Sequence, residues 1–312
     1  MSSGASFIFP GQGSQYIGMG KDFLASSQVE RLFSEASDIA GIPVRRLCME
    51  GPQEELVRTS NLQVCITVID VICGMVVQEA GIEPVAVAGH SLGEYPALWM
   101  AGVLEFNDLV KVVKLRGELM ETAGDKAPGS MAAIIGFERE ELEQLVKPLS
   151  EQGVLSLANH NSREQIVVTG EKELVRELCS IVKSKGKRAV PLRVSGAFHS
   201  VLMSDAAEEF SKMLDSVEFR DARVPVYSNV SAGPETESER IRELMKKQMC
   251  APVRWFEIVN NMYGDGIKLF VETGPGKVLT GLVKKSIVSE DDFQVFQVDS
   301  RESLNNLLDQ IQ

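Results

Sequence analysis

The run Gly89-His90-Ser91-Leu92-Gly93 follows a short apolar stretch, Val85 to Ala88, and precedes a helical run, Glu94 to Met100. A serine between two glycines at a strand-to-helix turn fits a nucleophile elbow, in which small residues allow a strained, tightly packed turn. Such a turn lifts the hydroxyl to a helix N-terminus, where free backbone N–H groups hold an oxyanion. The plain alternative is a structural glycine turn; the strand before and the helix after favour a nucleophile. A serine at its ordinary pKa needs a base, and the chain has three histidines. His90 adjoins Ser91, so its side chain leaves the sharp turn in another direction. His160 ends an expected strand and reads as a surface or interlobe residue. His199, in Ser195-Gly196-Ala197-Phe198-His199-Ser200, is the best base.

Three further segments carry chemical types. Phe9-Pro10-Gly11-Gln12-Gly13-Ser14-Gln15 follows the first expected strand; its small residues let backbone approach a ligand, and Gln12 offers an amide donor. Dinucleotide binding fails there, because the glycine pattern needs glycine where Tyr16 stands. Gly274-Pro275-Gly276-Lys277 lacks the glycine and hydroxyl residue of a phosphate loop at Val271 and Val278, and reads as a turn or helix start. Arg116 lies on the apolar-periodic helix Asn107 to Thr122. It is either a salt-bridged surface residue or, facing a cleft, a bidentate partner for a substrate carboxylate.

The elements that must position these residues alternate. Ser6 to Phe9, Val85 to Ala88, Val224 to Ser228, Ile267 to Glu272 and Gln294 to Gln297 read as strands with amphipathic helices between them, which predicts an α/β sheet. From Ser130 to Pro191 the order is strand (Met131 to Ile135), helix (Glu138 to Lys147), strand (Val154 to Ala158), strand (Gln165 to Thr169), helix (Glu171 to Lys185), strand (Arg188 to Pro191). This is the split βαβ, ferredoxin-like pattern. We expect a catalytic core from residues 1–128 and 196–312 and a small inserted subdomain from 129–195. The crossings fall at Pro128-Gly129 and Ser195-Gly196, and a ligand cleft lies between the lobes.

Composition narrows the function classes. The 312 residues are 44% apolar and 24% charged, ordinary for a globular protein, with no repeat or low-complexity tract. A net charge of −12 argues against nucleic acid or an anionic membrane as the main partner. The five cysteines have no CxxC spacing, so they predict buried thiols in a reducing cytosol and neither a disulfide framework nor a metal site. The first ten residues lack a basic segment before their short apolar run, which argues against a signal peptide. The apolar stretch Val64 to Val77 is broken by Asp70 and is expected to be too short for a bilayer.

Together the segments resemble the malonyl-CoA:acyl carrier protein transacylase family, including the stand-alone acyltransferases that serve polyketide synthases. The resemblance runs from Ser6 to Ser300 and rests on FPGQGSQ (Phe9 to Gln15), GHSLGEY (Gly89 to Tyr95), RGELM (Arg116 to Met120), GAFHS (Gly196 to Ser200), SNV (Ser228 to Val230), APVRW (Ala251 to Trp255) and ETGPGKVL (Glu272 to Leu279). It implies an α/β-hydrolase-like core with a parallel sheet plus an inserted ferredoxin-like small subdomain. It also implies Ser91 as nucleophile, His199 as base oriented by a backbone carbonyl at or near Gln248, and an oxyanion hole from Gln12 and Leu92. Arg116 would clamp the malonate carboxylate, and Phe198, His90, Gln63, Asn159 and Asn161 would line the substrate site. Leu62-Gln63-Val64-Cys65 departs from the family's usual Thr-Gln-Pro-Ala, so the setting of Gln63 is altered. Gly196-Ala197-Phe198-His199 is similar to the malonyl-preferring form, in which a bulky Phe198 crowds an α-methyl.

The implied reaction is ping-pong acyl transfer from malonyl-CoA to a phosphopantetheinylated acyl carrier protein, in the cytoplasm, with no tightly bound cofactor or metal. Nothing demands more than a monomer. Carrier proteins are acidic, so docking needs a basic rim; Lys183, Lys185, Lys187, Arg188, Lys284 and Lys285 are its candidates, and a solvated helix end is the alternative. Two other readings compete. An acyl hydrolase that clears carriers would gain nothing from a carboxylate clamp at Arg116, and a non-catalytic carrier-binding scaffold would not need Ser91, His199, Gln12 and Arg116 together.

Overall fold

The computed structural model describes residues 4–194, 196–287 and 293–311. Among the described residues, ten strands form two sheets. The larger has six, in the order β10 (Gln294–Val298), β9 (Leu269–Thr273), β1 (Ala5–Phe9), β2 (Pro84–Gly89), β7 (Val226–Tyr227), β8 (Pro234–Glu235). All its pairings are parallel except β7 with β8. β1 and β9 are buried along their whole length, as central parallel strands covered on both faces must be. Alternate side chains serve the two faces. Phe7 and Phe9 pack into the larger core with the helix Thr59–Glu79, while Ile8 joins Phe270, Trp255 and Leu282 on the other side.

The smaller sheet is antiparallel in the order β4 (Leu155–Ser162), β5 (Gln165–Glu171), β3 (Gly129–Ile135), β6 (Arg188–Pro191). The helices Arg139–Ser150 and Lys172–Ser184 pack against it around a third core of their own. The element sequence is therefore strand, helix, strand, strand, helix, strand, the ferredoxin-like order. The mixed α/β class, with a parallel sheet and a second small sheet, is as the sequence implies.

Several boundaries differ, each for a physical reason. Only Val226–Tyr227 of the expected Val224 to Ser228 strand is in the ladder: Pro225 has no N–H to give, and Ser228 N–H turns away to Gly233. The expected helix Asn107 to Thr122 runs Phe106–Lys126, because Gly124 is a contact glycine and no terminator; Gly196 packs so close that a Cβ there would lie 3.0 Å from Gly124 Cα. β4 continues past Ala158 because Val253 of the core pairs with it. Val253 N–H donates to Ala158 O (2.8 Å) and His160 N–H to Val253 O (2.9 Å). His160 thus lies within β4, not at its end. Ser195, one of the expected crossing residues, is outside the described residues.

The Val64 to Val77 stretch belongs to a helix of 21 residues, Thr59–Glu79, which by length and composition could cross a membrane; the expectation that it is too short is corrected. It is a core helix, with 83% of its most apolar window buried inside the protein. Asp70, at its centre, is fully buried with neither carboxylate oxygen hydrogen-bonded. Burial, then the nearby Glu272 carboxylate, push its pKa well above the ordinary value. A group of raised folded pKa costs stability once pH exceeds its unfolded value, and the cost grows as pH rises toward the folded one. Asp70→Asn should therefore raise the unfolding temperature, by at least about 2 °C at pH 8 and by less at pH 5, read by scanning calorimetry. An equal shift at both pH values would show that Asp70 is not the titrating group.

Candidate active site

The turn after β2 has the strained form that its sequence predicts. Ser91 has φ 53° and opens a 3-10 turn, Ser91–Gly93, that leads into the helix Glu94–Met100. Both flanking glycines are sterically required. A Cβ on Gly89 would fall 1.9 Å from the Gly93 carbonyl, and one on Gly93 would fall 2.0 Å from Phe9 O. The left-handed conformation of Ser91 is held from behind by Asn229, whose Oδ1 accepts the Ser91 N–H (2.7 Å) and whose Nδ2 donates to Gly89 O (2.6 Å).

Ser91 Oγ lies 2.8 Å from Nε2 of His199. The other ring nitrogen, Nδ1, faces two carbonyls, Ala251 O at 2.9 Å and Gln248 O at 3.1 Å. Two acceptors on that side assign the proton to Nδ1, which leaves Nε2 free to accept from the serine hydroxyl. His199 is 4% exposed, and burial, reinforced by the positive charge of Arg116, lowers its pKa to about 3. The imidazole is therefore neutral at ordinary pH, the form a general base needs. The orienting carbonyl expected near Gln248 is shared with Ala251, and Ala251 makes the shorter bond.

Arg116 comes from the middle of the helix Phe106–Lys126 and is 1% exposed. Its Nη1 donates to Gln63 Oε1 (2.9 Å), and its Nη2 to Gln248 Oε1 (3.1 Å) and Ser91 Oγ (3.2 Å). The guanidinium carbon sits 5.2 Å from the centre of the Tyr95 ring. Among the described residues no carboxylate forms an ion pair with it, and Nε has no partner. Of the two readings of Arg116 left open by the sequence, the surface ion pair is excluded.

A cavity of about 280 Å³ opens above Ser91, between the tips of β1 and β2 and the face of the small sheet. Gln12, Gln63, His90, Leu92, Arg116 and His199 line it from the core. Asn159 and Asn161 reach it from β4, and Phe198, 4% exposed, from the returning chain. Gln12 belongs to the loop that packs on the elbow: a Cβ on Gly11 would meet His90 O at 2.5 Å and the Leu92 N at 3.6 Å. The His90 side chain does leave the turn in another direction. Its Nε2 meets Asn161 Oδ1 at 2.8 Å and its ring stands edge-on to Trp255, while burial holds its pKa low. Gln248 stands behind Arg116 and His199. His160 lies apart, its ring tilted against that of Phe256. The sequence analysis missed Asn229, Glu94 and Ala251 as site residues, although each falls in or beside a motif it singled out.

The acyl transferase domain family matches residues 6–302. The chain belongs to the malonyl-CoA:acyl carrier protein transacylase family of such domains. It is 45% identical over 283 residues to a malonyl CoA-acyl carrier protein transacylase of Bacillus subtilis (strain 168), covering 90% of this chain and 89% of that one. It is 40% identical over 299 residues to that of a Synechocystis strain, covering 96% and 99%. Among solved structures, an acyl carrier protein S-malonyltransferase from Vibrio cholerae superposes with a TM-score of 0.92 at 38% identity, over 98% of this chain and 100% of that one. A malonyl-transacylase in complex with its type II polyketide synthase acyl-carrier protein superposes with a TM-score of 0.93 at 38% identity, over 99% and 100%.

The Asn229 anchor gives a direct test of the elbow. Asn229→Ala should slow acylation of Ser91 at least about tenfold while far-UV circular dichroism stays native, since it releases the strained N–H and the Gly89 carbonyl. An unchanged rate would mean that the turn holds itself.

Proposed function

We propose that the protein transfers malonyl from malonyl-CoA to the phosphopantetheine thiol of an acyl carrier protein through an ester on Ser91. The observation that carries this reading is the Arg116 guanidinium, buried with no ion-paired carboxylate among the described residues and 3.2 Å from the hydroxyl that His199 is placed to deprotonate. A buried cation beside a nucleophile fits an acyl group with its own negative end. An acyl hydrolase for varied chains has no use for it, and a non-catalytic scaffold has no use for the serine and histidine either. The names of the relatives agree with the transfer reading.

In the first half-reaction Ser91 Oγ attacks the thioester carbon as His199 Nε2 takes its proton. The Leu92 N–H and the Gln12 amide, from residues that line the cavity beside Ser91, would hold the developing oxyanion. As the carbon–sulfur bond breaks, His199 returns the proton to the departing coenzyme A thiol. In the second half the carrier thiol gives its proton to His199, its sulfur attacks the ester carbon, and Ser91 recovers the proton. Through both halves Arg116 holds the free carboxylate, with Gln63 and Gln248 fixing the guanidinium plane. His90, Asn159 and Asn161 line the acyl site, and Phe198 crowds an α-methyl, a discrimination worth about 1 to 3 kcal/mol. This chemistry asks for no tightly bound cofactor or metal, and one chain supplies every group it uses, so a monomer suffices.

The carrier would approach the mouth, where Val278 and Leu192 are exposed. Lys183, Lys185, Lys187 and Arg188 lie at the junction into β6, just before Leu192, and Lys284 and Lys285 in the last turn of the helix Val278–Ser286. All six are exposed, and none is ion-paired among the described residues, which supports them as the rim for an acidic carrier. The five cysteines are free, four of them buried, which favours a reducing compartment such as the cytoplasm. The product would extend chains in fatty acid or polyketide synthesis.

Intact-protein mass spectrometry after mixing with malonyl-CoA tests the reading. A malonyl-sized adduct should form, be absent in Ser91→Ala, and pass to added carrier protein. Arg116→Ala should lower kcat/KM for malonyl-CoA at least about a hundredfold and leave slow acylation by acetyl-CoA little changed. Free malonate in place of carrier-bound malonyl would decide for a hydrolase.

A further inference from the structure

The rear of the site holds a carboxylate that the proposed chemistry does not use. Glu94 begins the helix after the elbow and is 1% exposed. Its Oε1 accepts the N–H of Asn229 (3.0 Å), and its Oε2 accepts Nε2 of Gln248 (2.8 Å). Neither bond reaches the cavity, but both end on residues that hold the reacting groups. Asn229 anchors the Ser91 N–H, and Gln248 touches Ser91, Arg116 and His199.

Gln248 has a donor end and an acceptor end that are nearly the same shape, so its neighbours must select the orientation. Nε2 donates to Glu94 Oε2 and to Ser91 O (2.8 Å), while Oε1 accepts from Arg116 and, at 3.4 Å, from the Tyr95 hydroxyl. The reversed amide would set its N–H groups against the guanidinium and its oxygen against two acceptors. A group at residue 94 with a donor of its own would weaken the selection; an ionised carboxylate, which only accepts, enforces it.

We propose that Glu94 is a positioning residue for acyl transfer, its ionised carboxylate fixing Gln248 with the amide oxygen on Arg116 and fixing Asn229 behind the Ser91 N–H. The proposal rests on the acyl-transfer reading above. The titratable groups facing Glu94 are Arg116, from the helix Phe106–Lys126, and Tyr95, from its own helix; Ser228, Asn229 and Gln248 are uncharged. Burial pushes the Glu94 carboxyl up to about 7, while hydrogen bonds from Gln248, Asn229 and Ser228 and the charge of Arg116 pull against it. The acceptor-only state is therefore present above that pH and lost as pH falls through it. His199, at about 3, does not titrate in that range.

Single-turnover acylation of Ser91 at saturating malonyl-CoA, from about pH 5.5 to 8.5, tests this. The wild-type rate should fall on an acid limb near pH 7, by about tenfold per unit. Glu94→Gln should be slower at pH 8 by about ten- to a hundredfold and show no limb. Gln248→Ala should also be slower, and the double variant should lose much less than the product of the two single losses, because they share the Gln248 amide while Asn229 answers to Glu94 alone. A wild-type profile flat across this range, a limb that survives in Glu94→Gln, or losses that multiply would overturn the proposal. Should Glu94→Gln fail to unfold cooperatively, Glu94→Asp replaces it: a slower enzyme that keeps the limb supports the proposal, and one without it overturns it. A wild-type protein that forms no malonyl ester at pH 8 fails earlier, on the acyl-transfer reading itself.

Discussion

A guanidinium removed from water, with no carboxylate in ion-pair contact among the described residues, is the constraint around which this protein is arranged. Desolvating a cation is costly unless dipoles take the place of the lost solvent. Here they are the amide oxygens of Gln63 and Gln248 and the face of Tyr95, brought from three different helices. Each of those amides must in turn be held the right way round. Gln63 is held by Met120, toward whose sulfur its Nε2 points at 3.2 Å, and Gln248 by Glu94 and the Ser91 carbonyl. The polar interior behind the cavity is thus one connected network whose purpose is to keep a positive charge beside a hydroxyl in a dry place.

The second constraint is conformational. Both members of the Ser91–His199 pair sit in left-handed backbone, at φ 53° and 59°. Such non-glycine residues persist only where their surroundings over-determine them. For Ser91 the surroundings are the contact between Gly89 and Gly93 and the Asn229 clamp. For His199 they include Ser200, whose hydroxyl donates to Ala197 O at 2.6 Å and closes the turn around the imidazole. Strain and desolvation meet at the same few atoms.

Much of this was readable in the chain. The elbow announces itself through glycine spacing between a strand and a helix, and the scarcity of histidine reduces the base to one good choice. The ferredoxin-like unit is visible because each of its elements has its own periodicity. What the sequence hides is what depends on distant partners. The Glu94 carboxylate meets residues 135 and 154 positions away, and nothing local distinguishes it from a surface acid at a helix start. The extension of β4 to Ser162 depends on pairing with Val253, and the shortened β7 on where Pro225 falls in the ladder. The order of the large sheet, with the C-terminal strands β9 and β10 on one side of β1, follows from crossovers that no local pattern encodes.

The short segment from Gln248 to Val253 ties two of these features together. Its carbonyls at Gln248 and Ala251 orient the imidazole, and two residues later Val253 is stitched into β4 by backbone hydrogen bonds on both its sides. The roof of the cavity and the tilt of the base therefore share a single mechanical reference. Any rocking of the small sheet that widened the mouth would drag on the peptide that aims the histidine, so the aperture and the aim of this site are geared to each other.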